Sequence, residues 1–324
     1  MKTTDLQPQR QIKPTLLALG LFTALSLWGW TPTSSAATDE SATHQKTFAT
    51  PIEAVEELVL AAEIGDIEAM TDIYGPEGID LVVTEDPVHD RNQAAFFAAE
   101  ARKQAKVVRE LGDPKVATLL VGLDDWPLPI PIIEEDGRWR FDTETGRQEI
   151  LYRRIGKNEL VAIEVCLGYV EAQYEYASER HGEAKVNQYA QSIIGSPGTR
   201  DGLAWQTEDG TWEGPVGEAI ARVIAEGYTE RYTPYHGYYF KVLTGQGPAA
   251  PMGEMNFVVG DVMIGGFALA AAPADYEVTG VMTFIVSHNG IVYEKDLGPE
   301  TLELFRSTER YNPDDTWKPV SEPW

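Results

Sequence analysis

Two short strings carry residues whose types and spacing could do chemistry. Asp124-Asp125-Trp126, followed by Pro127, sets two carboxylates beside an indole between two segments of strand character. Carboxylates next to an aromatic face suit a sugar or peptide pocket, and a pair of them can help hold a hard cation. A solvated turn with one packing Trp uses the same residues. The second string is Tyr235, His236, Tyr238 and Tyr239, which follow Tyr232 ahead of a strand. Tyrosines bring apolar area with polar tips and so can form a binding face. Strand alternation puts Tyr238 and Phe240 on one face and Tyr239 on the other, half core and half surface. His236 could act as a base near neutral pH, but no Gly-x-Ser-x-Gly nucleophile string is present.

Other chemistries fall away. The five histidines are His44, His89, His181, His236 and His288. No two have helical metal-ligand spacing, and His-Glu-x-x-His is absent. The phosphate loops Gly-x-Gly-x-x-Gly and Gly-x-x-x-x-Gly-Lys-Ser/Thr are absent too, so no nucleotide cofactor is expected. Asp261 and Asp296 sit near strand ends without the dense acidic run of a calcium loop. Cys166 is the only cysteine, which excludes an intramolecular disulfide and any cysteine-cluster metal site. It lies in a helical pattern and reads as a buried structural thiol. The expectation is therefore no catalytic residue, no metal and no cofactor.

Charge narrows the partners. The 324 residues hold 51 Asp plus Glu against 26 Lys plus Arg, for a net charge of −25 and a pI near 4.5. Nucleic-acid binding needs a basic footprint, so no nucleic-acid partner is expected. With 43% hydrophobic and 10% aromatic residues the chain can bury real cores. Its length suggests about two domains.

The elements that must position the two strings begin after an export signal. Lys2, Arg10 and Lys13 precede an apolar run over 16–30, and Thr33-Ser34-Ser35-Ala36-Ala37 offers small residues for cleavage. Residues 1–37 thus read as a signal peptide, with a retained anchor as the alternative. The run is short for a membrane span, and no later stretch is long and apolar enough. Removing 1–37, which carries a net +2, leaves −27 on an exported, periplasmic or secreted chain. Residues 38–47 read as a flexible lead-in.

A first domain is expected over 48–145. Thr50-Pro51-Ile52-Glu53 is a capped helix start, and Ile52, Val55, Leu58, Val59 and Ala62 make one apolar face. A short helix over 67–74, a short strand over 80–84 and a third helix over 90–111 follow. Strands over 115–123, 128–134 and 138–143 come next, the last two joined by a hairpin at Glu135-Asp136-Gly137. A second domain is expected over 146–310. Helical pattern returns from Gly146 with a weak point at Gly156, and the main helix spans about 158–179, roughly 30 Å at 1.5 Å per residue. Apolar residues at 160, 163, 167, 170, 174 and 177 form a seam. A short helical piece at 217–226 and hairpins at Gly260-Asp261 and Ser287-His288-Asn289-Gly290 follow. The tail 311–324 shows no helical period.

Several strings resemble one exported bacterial family, domain of unknown function 2950. They are Asp124-Asp125-Trp126-Pro127, Arg154-Ile155-Gly156-Lys157-Asn158-Glu159-Leu160, Tyr235-His236-Gly237-Tyr238-Tyr239-Phe240, Tyr276-Glu277-Val278-Thr279-Gly280-Val281, and Asp296-Leu297-Gly298. The resemblance covers roughly 48–319 and implies export and a cell-envelope setting, with no established activity to carry over. Residues 48–143 also resemble an NTF2-like cone, and 158–298 resemble the head of a type II secretion pseudopilin. A pilin carries its hydrophobic helix at the mature N-terminus, whereas the matching helix here is internal and acidic on its outer faces. The fold expected is α+β: an NTF2-like cone followed by a long helix on an antiparallel sheet.

The function expected is a non-enzymatic binding or adaptor module whose partner is an envelope protein or a small ligand. One alternative is a hydrolase or isomerase acting in the NTF2-like cavity. Another is an accessory partner of a secretion or pilus-like assembly. A deep pocket with convergent polar groups favours the enzyme, and a filled cone favours the adaptor.

Overall fold

The structure is a computed structural model and describes residues 44–83, 87–181, 186–219 and 234–321, except the side chain of His89. The expected signal peptide, residues 38–43 of the lead-in, most of the 217–226 helical piece, Tyr232 and the last three residues lie outside the described residues.

In the first half α1 (Pro51–Ile64) starts as its sequence directs. Thr50 Oγ1 accepts from Glu53 N–H at 3.1 Å, and Glu53 reaches back to Ala49 N–H rather than to Thr50. Val55, Leu58, Val59 and Ala62 are buried, but Ile52 is exposed. The next helix is α2 (Ile67–Tyr74), capped by Asp66. A 3-10 turn (Pro76–Leu81) replaces the strand expected from residue 80, because Pro76 fixes a helical φ and Gly78 packs where Thr143 leaves no room for a Cβ. The third helix, α3 (Pro87–Lys103), stops well short of residue 111. Beyond it Val107-Val108, β-branched and stiff, takes the ladder that the next strand offers.

These strands are β1 (Ala105–Arg109), β2 (Val116–Val121), β3 (Trp126–Pro127), β4 (Ile132–Glu135) and β5 (Arg138–Phe141). Their order is β1-β2-β4-β5, antiparallel, with β3 also beside β2. Asp136 and Gly137, both at positive φ, close the β4–β5 hairpin as expected. Leu58, Ile73, Leu119, Ile132, Trp139 and Phe141 fill the space between helices and sheet.

The long helix α4 (Thr143–Ala177) has 35 residues, roughly 52 Å, and Gly156 does not interrupt it. It starts three residues before the expected return of helical pattern at Gly146, and runs unbroken into the main helix expected from 158, because Asp142 caps it and its first turns pack on the first half. Thr143 Oγ1 donates to Tyr74 O at 3.0 Å, and Gly146 lies against Ile130. The expected seam holds in part. Its Ile163 and Val170 are buried in the core, whereas Leu160, Leu167 and Tyr174 are exposed, and Ala162, Cys166, Tyr169, Gln173 and Tyr176 complete the inward face. Both sets repeat at helical spacing; the small Ala162 and Cys166 let the axis approach the sheet.

The second half adds β6 (Ser192–Ile194), β7 (Gly202–Gln206) and β8 (Trp212–Glu213) as one small sheet. Then come β9 (Tyr238–Leu243), β10 (Gly245–Gln246), β11 (Met255–Asn256), β12 (Val258–Val259), β13 (Val262–Met263), β14 (Ala268–Pro273), β15 (Met282–Ser287), β16 (Val292–Asp296), β17 (Arg310–Tyr311) and β18 (Lys318–Pro319). The main sheet runs β18-β16-β15-β14-β9, all antiparallel. All six residues of β14 are buried. α4 covers one face, and a short helix (Thr301–Ser307) that no pattern announced packs against β14, with Lys241 of β9 donating to its carbonyls. The tail returns as β17 and β18. The architecture is α+β, and 43–324 form one compact unit containing both cores.

Candidate functional site

The second string folds as a tight hairpin turn. Tyr235 N–H donates to Tyr238 O at 2.9 Å, and Tyr238 N–H returns to Tyr235 O at 3.0 Å. His236 (φ 45°) and Gly237 (φ 74°) are both left-handed, the geometry of a type I′ turn. Gly237 is required twice over, since a Cβ there would also strike Thr279 and Asn158.

Around that turn the other strings converge. Asn158 Nδ2 donates to Thr279 O at 2.9 Å. Glu159 Oε1 accepts from Val281 N–H and Met282 N–H at 2.9 and 3.0 Å. Tyr238 is buried, and its hydroxyl donates to Met282 O at 2.9 Å. Its ring occupies the space a side chain at Gly280 would need. Tyr276 OH donates to Asp296 Oδ2 at 3.3 Å, and Asp296 Oδ1 accepts from Gly298 N–H at 2.8 Å. Residues 158–159, 235–238, 276–282 and 296–298 therefore make one joint where α4 crosses the start of β15.

Glu294 of β16 lies cross-strand from Phe284 and Lys318. Loss of solvent and then the charge of Glu159 push its carboxyl above the ordinary range, against the pull of Lys318. Burial, with a smaller contribution from Glu159, pushes the Tyr238 phenol far up, so it remains a hydrogen-bond donor at any ordinary pH. Among the described residues no group of three His, Cys, Asp or Glu is placed to hold a metal ion.

The first string leans on the same helix. Asp125 sits at φ 51° in the turn before β3. Its carboxylate is held by Lys106 at 2.7 and 2.9 Å and by Gln104 at 2.7 Å. Trp126 is exposed, with the Arg153 guanidinium 5.6 Å from its ring. Arg153 also donates to Pro127 O at 2.7 Å and pairs with Glu149 at 2.8 Å. Five residues separate Arg153 from Asn158, about 7.5 Å along the helix axis. Asp124 is exposed. Asp125 and Trp126 are thus held by Lys106, Gln104 and Arg153, and the tyrosine hairpin by the α4–β15 joint, so the two strings rest on different partners. Tyr235 and His236 stay half-buried with ring centroids 4.4 Å apart, Tyr239 is half-buried, and Tyr238 is core.

Sequence reasoning passed over Arg153, Asn158, Glu159 and Glu294. Glu159 reads as one more acid on an outer face; only the contact with β15 turns it inward. Glu294 was findable, since Val292 and Glu294 share a strand face.

A cavity of about 280 Å³ lies among Gly65, Ile67, Val83, Pro87, Asp90, Arg91 and Ala94, where α1 ends and α2 and α3 begin. It sits among helix ends, apart from the filled space between helices and sheet.

Fold and site together define an α+β protein with two cores, a shared helix and a polar joint along that helix. The chain belongs to the family described as Protein of unknown function (DUF2950), whose model matches residues 45–320. No curated protein and no solved structure matches the chain.

Proposed function

We propose that the chain is an exported cell-envelope protein that works as a non-enzymatic binding or adaptor module, with an NTF2-like base at about 48–145 and a pilin-head-like part at about 146–310. The observation that carries this reading is how the family strings are used. Asn158, Glu159 and Tyr238 bind the backbone of Thr279, Val281 and Met282 across the joint and hold parts of the molecule in a fixed relation. A rigid frame presents surfaces. The export part of the proposal rests on residues 1–37 as a sequence.

The hydrophobic core packed between the helices and the sheet of the first half also supports the adaptor. The alternative of an enzyme in that half is favoured by one observation, the cavity beside Asp90. Its lining is mainly apolar.

Chemical crosslinking in the native envelope, followed by pull-down, should capture a discrete protein partner. A panel of hydrolase, peptidase and isomerase substrates should show no turnover. Turnover that is lost in Asp90→Asn or Glu294→Gln, in a chain that still folds, would overturn the proposal.

A further inference from the structure

The sheet of the first half treats its two edges differently. At β5 the outer edge is closed by the chain itself: Phe48 N–H donates to Trp139 O at 2.8 Å, and Phe48 O accepts from Trp139 N–H at 2.9 Å. At β1 the outer edge is open. Among the described residues β1 pairs only with β2, in the register Ala105 to Val121, Val107 to Leu119 and Arg109 to Ala117. Just beyond the strand, Glu110 N–H donates to Val116 O at 3.0 Å and Gly122 N–H to Gln104 O at 2.9 Å. Those bonds mark 104 with 122 and 110 with 116 as hydrogen-bonded pairs. Alternation along an antiparallel ladder then gives 106 with 120 and 108 with 118 as the others. Ala105, Val107 and Arg109 therefore turn their N–H and C=O groups outward, and none has a backbone partner among the described residues. Four of the five β1 residues are exposed, and Val107 is half-buried.

The charge at this edge runs against the whole molecule. In a chain of net −25, residues 102–115 hold Arg102, Lys103, Lys106, Arg109 and Lys115 against Glu110 and Asp113. Glu63, Glu100 and Asp125 pair with Arg102, Lys103 and Lys106. Arg109 lies 5.0 Å from the Trp139 ring, and among the described residues neither it nor Lys115 forms an ion pair.

We infer that the β1 edge is a docking strand for an extended acidic segment of a partner protein, which adds alongside β1 and places a carboxylate near Arg109 and Lys115. Main-chain bonds to Ala105, Val107 and Arg109 supply the attraction, and the cations select the sequence. A second copy of this chain fits poorly, because it brings a net −25 of its own and the same cationic strand. The inference deepens the adaptor reading and rests on it.

The geometry gives a selective test. At Val107 the N–H points outward, so Val107→Pro removes a docking donor and leaves the β1–β2 ladder intact. At Val108 the N–H belongs to the ladder, so Val108→Pro should disrupt the fold. The probe is a capped Glu-Val-Glu-Val-Glu-Val-Glu peptide, with its Lys-Val counterpart as control, added to the purified chain. Hydrogen exchange at Ala105, Val107 and Arg109 should slow roughly tenfold with the acidic peptide and stay unchanged with the basic one. Val107→Pro, with native near-ultraviolet circular dichroism, should abolish the protection at Ala105 and Arg109. If that variant does not fold, Arg109→Glu combined with Lys115→Glu should abolish it instead. No protection, equal protection by both peptides, undiminished binding by the variants, or a dimer that Val107→Pro dissolves would each overturn the inference. Capture of an envelope partner equally by Val107→Pro and unaltered chains leaves the adaptor reading standing and removes this edge from it. Enzymatic turnover would remove the adaptor reading while the peptide result stood by itself.

Discussion

Cys166 and Glu294 show how little a residue's type says before its surroundings are known. Cys166 is fully buried, and burial pushes its thiol up to about 12, so almost no thiolate exists at neutral pH. The folded chain should therefore resist iodoacetamide at neutral pH and react only on denaturation; one equivalent of rapid labelling in native buffer would refute this. Glu294 is a weaker acid folded than unfolded. The native state holds its proton longer, so its stabilising contribution is complete below the ordinary value of 4.5 and is lost as pH rises through the raised value. Glu159 and Lys318 are the charged groups that act on it, with Tyr238 also in the joint. Glu294→Gln removes that loss, so the gain in Tm over the unaltered chain should be larger at about pH 7 than at about pH 4. A gain independent of pH would contradict the assignment. Cys166 was legible from its single occurrence in a helical pattern. The state of Glu294 was not, because it depends on Glu159, which is 135 positions away in sequence.

At the scale of elements, α4 decides most. Two of its three glycines, at 146 and 156, look alike in sequence but differ in the fold. A Cβ at 156 meets nothing within 4 Å, whereas one at 146 would lie 2.6 Å from Ile130 Cγ1. Gly156→Ala should thus stabilise by about 0.5–1 kcal/mol through helix propensity. Gly146→Ala should destabilise by about 1–3 kcal/mol through overpacking. Urea unfolding of both variants checks the pair, and equal effects would show that α4 does not bear on the first half there. Turn chemistry was the most legible part of the elements: Asp136-Gly137, Gly260-Asp261 and His236-Gly237 all take positive φ where the sequence offers residues that tolerate it. Element boundaries were less legible. Helix α3 yields to β1 after residue 103 because Val107-Val108 serves either period, and only a neighbouring strand decides between them.

For the whole molecule, charge and connectivity set the behaviour. The acid is spread over both halves, so self-repulsion opposes the compact state and salt should relieve it. Tm should rise between low ionic strength and about 0.5 M NaCl, a range over which the screening length falls several-fold. A Tm that falls or stays flat would show that local ion pairs outweigh the net charge. Because α4 packs on both cores, 43–324 should unfold in one calorimetric transition, with calorimetric and van't Hoff enthalpies equal. Two resolved transitions would show that the halves are energetically separate.

What the sequence determined by itself is what composition and short-range pattern can carry: the α+β class, the family, the acidic character, the capped start of α1, the tight hairpins and the buried thiol. What the tertiary structure decided is how far the buried stripe of α4 turns from the expected seam, that Tyr238 is core, that Asp125 is held by Lys106, and that separate strings meet at one joint. The physical reason is range. Caps, turns and propensities act over a few residues, so they are written locally. Burial and hydrogen bonding at the joint act between residues more than a hundred positions apart, and only the folded chain brings those together.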